Sequence, residues 1–404
     1  MIRNLQNKNI LLGVTGSIAA YKAVDLASKL AQAGAQVDTI LTRSATNFVT
    51  ALTFQSVTSR KAYDILWGED AHVIHIGLAE AADLLVIAPC TADTIARLVH
   101  GRADDLLAVT ALAARCPLLI ASAMDGGMWA NAATQANISI LRERGIHLIG
   151  PAEGHLASGL KGKGRLVEPE ALLGHIRLAM GVNGPLAGRK VVVSAGGTQE
   201  AIDPVRYISN HSSGKQGFAL AQAALDLGAQ VTLVSAPVNL TAPVGAEMNF
   251  VRSTEEMAAA VMAASSTADV LIMAAAVADF RPSNAWDQKI KRASDGIPTI
   301  DLTRTTDILA TVAERRAETG HPNIMVGFAA ESQNLIENAR KKLEAKQLAL
   351  LAANDIAGSD AGFFVDTNRV LLLDAEGGQE ELPLLSKSEV ADIICDRVVA
   401  LLEV

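Results

Sequence analysis

Short apolar runs alternate with helical stretches along the whole chain, and the alternation opens in the same way twice. NILLGVTGSIAAYKAVDLASKLAQAGAQVDTILT (9–42) reads as a strand, a glycine turn, an amphipathic helix, a stop at Gly34 and a second strand. KVVVSAGGT, a polar segment, KQGFALAQAALDLG and AQVTLVSAP (190–237) repeat that order. Further strand-like runs are ADLLVIAP, CPLLIASAM and IHLIG in the first half, and ADVLIMAAAV, NIMVGFAAE and LALLAAND in the second. Strands spaced by helices imply right-handed crossovers and a parallel sheet covered on both faces. The fold class expected is α/β, with two doubly wound, Rossmann-like domains. GVNGPLAG (181–188) gathers glycine and proline after the helical ALLGHIRLAM, so the domains are set at 1–182 and 183–404.

The polar segment GGTQEAIDPVRYISNHSSGKQG (196–217) lies between a strand and a helix. Glycines there free backbone N–H groups at a helix N-terminus, which suits a phosphate. Asp203, Arg206, Asn210 and Lys215 are more than a turn requires, and long structureless loops in compact domains are usually functional. In open α/β sheets ligands sit beyond the carboxyl ends of the strands. In the first half that rule selects Gly16 and Ser17, Thr42 and Ser44, Thr91 with Asp93 and Thr94, and Ser122 through Asp125. The second strand ends ILTRS, without the carboxylate that holds a dinucleotide's ribose. Hydroxyls at Thr42 and Ser44, with Gly16 and Ser17, point to a mononucleotide such as FMN rather than NAD.

Composition narrows the function. Half of the 404 residues are apolar, Asp and Glu number 43 against 35 Lys and Arg, and aromatics are 3%. Neither the charge nor the stacking surfaces of a nucleic-acid-binding protein are present. The opening apolar run is too short for a signal peptide, and 257–280 is broken by Ser265, Ser266, Thr267 and Asp269 into helix, turn and strand, so neither export nor a membrane span is expected. Cys90, Cys116 and Cys395 are spaced for neither disulfides nor a metal, and the cytoplasm is the default compartment.

The whole chain resembles the bifunctional coenzyme A biosynthesis proteins, a phosphopantothenoylcysteine decarboxylase fused to a phosphopantothenate cysteine ligase. The resemblance rests on GVTGSIAAYKA, His75 in VIHIGLAEAADLLVIAP, TADTIARLVHGRADDLL and ASAMDGGMW in the first half. In the second it rests on the 196–217 segment, AAAVADFRP, KIKR, TDIL, VGFAAES and AANDI. It implies a flavodoxin-like FMN-binding decarboxylase fold for the first domain, with Gly16, Ser17, Ile18, Thr42, Ser44, Thr91, Asp93, Thr94, Ser122 and Ala123 at the cofactor.

For the ligase, the resemblance implies activation of the 4'-phosphopantothenate carboxylate by CTP and Mg²⁺ through an acyl-cytidylate, which the amine of cysteine then attacks. Asp279 and Lys289 would hold the nucleotide, with Ala274, Ala275, Ala276, Thr306, Asp307, Ile308, Leu309, Phe328, Lys342 and Lys346 around it. Lys289 would stabilise charge at the α-phosphate. Asn210 would position the intermediate, with Asp203 and Arg206 at the substrate. The residues alone leave CTP and ATP open, since either base could stack on Phe328.

For the decarboxylase, the resemblance implies FMN-dependent oxidation of the substrate's cysteine moiety, loss of carbon dioxide and reduction of the enethiol to 4'-phosphopantetheine. His75 matches an active-site base or carboxylate partner. The substrate motif, commonly proline-alanine-methionine-asparagine, reads Ser122, Ala123, Met124, Asp125 here. Either Asp125 is held protonated or it meets the substrate differently. In the flap GHLASGLKGKGRLVEPE (154–170) a proton-donating cysteine is replaced by Ser158, a far weaker acid, and Lys161 or Lys163 are alternative donors. Cys90 reads as a small buried thiol. A ligase with an impaired or regulatory flavin half is the alternative. The resemblance further implies trimeric flavin domains and dimeric ligase domains.

Overall fold

The computed structural model describes residues 2–66, 73–291, 299–331, 335–355 and 365–403. Arg292 of KIKR, Ser332 of VGFAAES and Ile356 of AANDI lie outside the described residues. The chain divides into two units, Met1–Met180 and Gly181–Val404, against the expected division after 182.

In the first unit, β1 (Asn9–Val14), β2 (Gln36–Leu41), β3 (Ala62–Tyr63), β4 (Leu84–Cys90), β5 (Leu118–Ser122) and β6 (His147–Ile149) form one parallel sheet in the order β3-β2-β1-β4-β5-β6. All seven residues of β4 are buried. A strand covered on both faces has no polar side to show, so its sequence runs apolar without alternation. The helix Ala20–Gln32 turns Ala20, Ala23, Leu26, Ala27 and Leu30 into the core at helical spacing. The strand order reverses between β1 and β4, which opens a crevice at their carboxyl ends.

After β6, β7 (Ala152–His155) and β8 (Lys161–Arg165) pair antiparallel, giving the expected flap the form of a hairpin. The Met124 N–H donates to Gly164 O at 3.0 Å. A Cβ on Gly164 would lie 2.2 Å from Met124 O, so only glycine permits this approach.

The strands of the second unit are β9 (Lys190–Ala195), β10 (Gln199–Ala201), β11 (Tyr207–Ser209), β12 (Gln230–Ser235), β13 (Glu247–Phe250), β14 (Val270–Met273), β15 (Phe280–Pro282), β16 (Leu302–Arg304), β17 (Ile324–Glu331), β18 (Leu350–Asp355), β19 (Thr367–Asn368), β20 (Val370–Asp374), β21 (Gln379–Glu381) and β22 (Leu385–Ser386). The main sheet runs β13-β12-β9-β14-β17-β18-β20-β21. It is parallel up to β18, and β20 and β21 extend it antiparallel. Within the polar segment 196–217, read from sequence as a loop, β10 and β11 form a small antiparallel pair. Three-residue strands are too short for periodicity to reveal.

Candidate active sites

In the second unit, β14, β17 and β18 and the N-terminus of the helix Lys215–Asp226 border a cavity of about 1040 Å³. Asn210, Ala274, Ala275, Ala276, Asp279, Thr306, Asp307, Ile308, Leu309, Phe328, Lys342 and Lys346 all line it. The 274–279 stretch is fixed from below. Ala275 N donates to Ser194 Oγ at 3.1 Å, Ala276 N to Gly196 O at 2.8 Å, and Ala278 N to Thr198 Oγ1 at 2.9 Å. Thr305 Oγ1 donates to Ala278 O at 2.6 Å. Asn210 Nδ2 donates to Val277 O at 2.9 Å, which ties the polar segment to the same stretch.

Charge in the cavity is mainly positive, with Lys215, Arg304, Lys342, Lys346 and Lys387 against Asp279 and Asp307. Asp307 caps the helix Ile308–Thr319 by accepting from Ala310 N at 3.0 Å and pairs with the Lys346 ammonium. Burial alone would raise its pKa, but Lys346, the Ala310 N–H and the nearby Lys342 hold it below the usual carboxylate range. Lys342 Nζ donates to Phe328 O at 2.8 Å. Lys342 and Lys346, four positions apart, therefore both face the cavity, while Lys341 between Arg340 and Lys342 pairs with Glu337 instead.

Three expected residues stand elsewhere. Asp203 is 3% exposed, between the strands of the β10–β11 pair, and accepts from Val205 N and Arg206 N at 2.8 Å and from Ile290 N at 3.2 Å. Burial acts to raise its pKa, and these N–H groups with Arg206 bring it below the carboxylate norm. Arg206 donates to Ile290 O at 3.0 Å. The pair pins the small hairpin to the 286–290 segment and neither residue lines the cavity. Lys289, beside Ile290, is exposed and also outside the lining.

In the first unit, the polar residues after β1, β2, β4 and β5 come together. A Cβ on Gly16 would lie 2.4 Å from Ser44 Cβ, so the first two loops touch only because residue 16 is glycine. Ser17 Oγ accepts from Ala19 N at 3.2 Å, Thr42 Oγ1 from Ala45 N at 3.3 Å, and Ile18 is exposed. Thr91 caps the helix Ala92–His100, with Thr94 buried behind it and Asp93 turned along the helix to Arg97. Ser122 and Ala123 are buried at the end of β5, where Ala123 N donates to Cys90 O at 3.0 Å.

Sequence reasoning passed over Thr15, whose hydroxyl donates to Pro89 O at 2.7 Å and accepts from Thr91 N at 3.1 Å, clamping the ends of β1 and β4. Its signal was its place as the first polar residue after β1. Cys90 is wholly buried and its pKa is pushed up by burial, which makes it a packing thiol.

His75 lies in the first turn of the helix Ile74–Ala81, half-buried. Its Nδ1 is buried without a hydrogen-bond partner among the described residues. Asp125 caps the helix Gly126–Ala130 through Gly127 N at 2.9 Å, and its other oxygen accepts from Ser158 Oγ at 2.7 Å. Ser158 and the Gly127 N–H hold the Asp125 carboxyl below its ordinary range. No cluster of three or more His, Cys, Asp or Glu suited to a metal occurs among the described residues. No described helix is long and apolar enough to cross a membrane.

Known proteins match both units. Residues 2–180 match the family described as Flavoprotein, and residues 186–402 the DNA/pantothenate metabolism flavoprotein C-terminal domain. The coenzyme A biosynthesis bifunctional protein CoaBC of Bacillus subtilis (strain 168) is 47% identical over 402 residues, 98% of each chain. That of Vibrio vulnificus (strain CMCP6) is 44% identical over 404 residues, 99% of this chain and 100% of its own. Among solved structures, the C-terminal domain of a CoaBC protein is 38% identical, covering 55% of this chain and 98% of its own with a TM-score of 0.46. The FMN binding protein AtHal3 is 32% identical, covering 43% of this chain and 96% of its own with a TM-score of 0.38.

Proposed function

Because the chain belongs to the coenzyme A biosynthesis bifunctional proteins, and is by that kinship both a carboxylate–amine ligase and a decarboxylase, we propose which residues carry each activity and with which cofactors. The observation that carries the reading is the cavity in the second unit where Asn210, the 274–279 stretch, Asp307, Phe328, Lys342 and Lys346 converge.

In that cavity the carboxylate of 4'-phosphopantothenate attacks the α-phosphate of CTP. An acyl-cytidylate forms and pyrophosphate leaves. Fixed cations already aimed at the phosphates stabilise the growing charge without reorganising. Lys342 and Lys346 supply that charge from the lining, and Lys289 supplies it by reaching over from the segment pinned at Ile290. Mg²⁺ enters with the nucleotide, in keeping with its habit of binding through phosphates and one or two carboxylates. Asp279 and Asp307 are the carboxylates present in the lining. Asn210, tethered to Val277 O, orients the acyl carbon for attack by the amine of cysteine.

In the first unit the residues fit FMN. Gly16 brings the loops after β1 and β2 into contact, and Ser17, Thr42 and Ser44 offer hydroxyls to a phosphate there. FMN supplies the two-electron oxidation that makes carbon dioxide loss possible, and the later reduction. His75, whose buried Nδ1 has no partner among the described residues, is the base or carboxylate partner. The Ser158 proton is directed at Asp125, so Ser158 positions the hairpin. Proton delivery falls to Lys161 or Lys163 on β8. Compartment and assembly follow the resemblance: a cytoplasmic homo-oligomer of trimeric flavin units and dimeric ligase units.

The test is mass spectrometry of products from purified protein given 4'-phosphopantothenate, cysteine, Mg²⁺ and CTP, with ATP in a parallel tube. Accumulation of 4'-phosphopantetheine in the CTP tube is expected. Phosphopantothenoylcysteine alone would overturn the roles given to His75 and the hairpin lysines, and turnover confined to ATP would overturn the nucleotide.

A further inference from the structure

The β7–β8 hairpin of the first unit is fastened at two ends. On one side Met124 N bonds Gly164 O, and Ser158 bonds Asp125. At its root the chain leaves β8 through Leu166, 2% exposed in the core, and runs through Glu168 into the helix Pro169–Gly181. There Lys22 reaches across from the helix Ala20–Gln32, its Nζ donating to Leu166 O at 3.2 Å and to Glu168 Oε1 at 2.8 Å. Arg165 Nη2 donates to the same carboxylate oxygen at 3.2 Å. A Cβ on Gly154 would lie 2.8 Å from Arg165 Cδ and Nη1, so Arg165 lies across β7, and Glu168 is held by both the hairpin and Lys22.

Lys22 is 7% exposed, a depth at which a lysine needs partners. It is the third residue of its helix, which follows directly on Gly16, Ser17 and Ile18, the residues assigned to the flavin. Seven positions on, two turns along the same face, Lys29 pairs with Glu170 at 3.2 Å and with Asp25 at 2.9 Å. Those carboxylates are open to water, which screens such pairs. Lys22 is the stronger clasp, because its loss would leave a buried backbone carbonyl without that donor.

We propose that Lys22 is a positioning residue of the decarboxylase, tying the root of the hairpin to the helix that follows the flavin loop. It touches neither flavin nor substrate; it holds Leu166 O and Glu168, and through them the strand that carries Lys161 and Lys163. The proposal rests on the FMN reading of the first unit. A hairpin loose at its root pivots on the Met124–Gly164 contact, and a misplacement of about 1 Å can cost about 100-fold in rate.

Lys22→Met removes the ammonium and keeps an unbranched chain in its place. Amide exchange across residues 152–165 should speed by about 10–100-fold, the effect of losing a hydrogen bond from a charged donor, while the amides of β1 and β4 keep their rates. With phosphopantothenoylcysteine supplied directly, kcat for decarboxylation should fall by about tenfold or more at unchanged flavin content, with ligation by the second unit unmoved. Lys22→Arg keeps the charge and should recover most of both effects. Lys29→Met should alter hairpin exchange by less than about threefold. Hairpin exchange within about twofold of the unaltered protein overturns the proposal, as does faster exchange spread evenly over β1 and β4, or a loosened hairpin with unchanged kcat. If Lys22→Met does not fold, Glu168→Ala carries the test, its side chain being 60% exposed. Exchange faster by about 2–5-fold and confined to the hairpin then supports the proposal, and unchanged exchange refutes it. If the unaltered protein binds no flavin, the FMN reading has failed, and exchange in Lys22→Met without flavin judges the tie alone: a faster hairpin supports it, an unchanged one refutes it.

Discussion

The Ser158 hydroxyl donates to the Asp125 carboxylate at 2.7 Å, joining the turn of the β7–β8 hairpin to the N-cap of the helix Gly126–Ala130. These are the two positions at which the first unit departs from the common pattern of the proteins it resembles, and they are bonded to each other. Ser158→Ala and Asp125→Ala should each speed hydrogen exchange of the hairpin amides, and the double variant should add little to either. Additive effects would show that the two act separately.

The same contact has a pH dependence. Ser158 and the Gly127 N–H lower the pKa of the folded Asp125 carboxyl from its ordinary value, so its stabilisation is complete above that ordinary value and is lost as pH falls through the lower folded one. Hairpin protection should therefore be flat from neutrality down to mild acid and drop only below the ordinary carboxylate range. A drop near pH 6 would point to another group.

Asn210→Asp replaces an amide donor to Val277 O with a carboxylate that cannot donate and repels that oxygen. Cysteine ligation should slow by about tenfold or more, on the scale of one lost hydrogen bond, while CTP-dependent pyrophosphate release on 4'-phosphopantothenate persists. Loss of nucleotide binding in equilibrium dialysis would sink the role given to Asn210.

Lys346→Met leaves Asp307 as a helix cap but removes its cationic partner. We expect the KM for CTP to rise by about tenfold with the KM for cysteine unmoved, as one charge-assisted contact would give. Equal changes in both would mean that the substitution disturbs the fold of the cavity.

Gly16→Ala forces a methyl to within 2.4 Å of Ser44 Cβ. Overpacking of that kind costs about 1–3 kcal/mol, and here the strain falls on the loops that would receive the flavin phosphate. Flavin released on denaturation, per mole of protein, should fall well below that of the unaltered chain. Undiminished flavin would place its phosphate elsewhere.

Much of this arrangement was legible because buried parallel strands must be apolar and the residue that ends one is exposed to ligands. That logic selected Gly16, Thr91 and Ser122 directly, whereas the 274–279 stretch came from the family resemblance. It failed where chemistry depends on partners far apart in sequence. Asp203 looked like a substrate group because polar loop residues carry no mark of burial, yet its carboxylate is spent on Val205, Arg206 and Ile290. Lys387 lies 172 positions after Lys215 in the chain and nothing local links them. The antiparallel strands β20 and β21 escaped notice because alternation of strands and helices does not encode strand order.

Those two strands make the carboxyl-terminal segment hard to dispense with. Removing the chain from residue 365 onward would strip β20 from β18 and leave a long row of unpaired backbone groups along an apolar strand, a template for self-association. The same cut would take away Lys387 and the helix Lys387–Leu402 that it opens at the ligase cavity. A shortened ligase should therefore precipitate rather than merely work slowly, and the segment from residue 365 onward is part of its working body, whatever its distance from the glycine-rich segment.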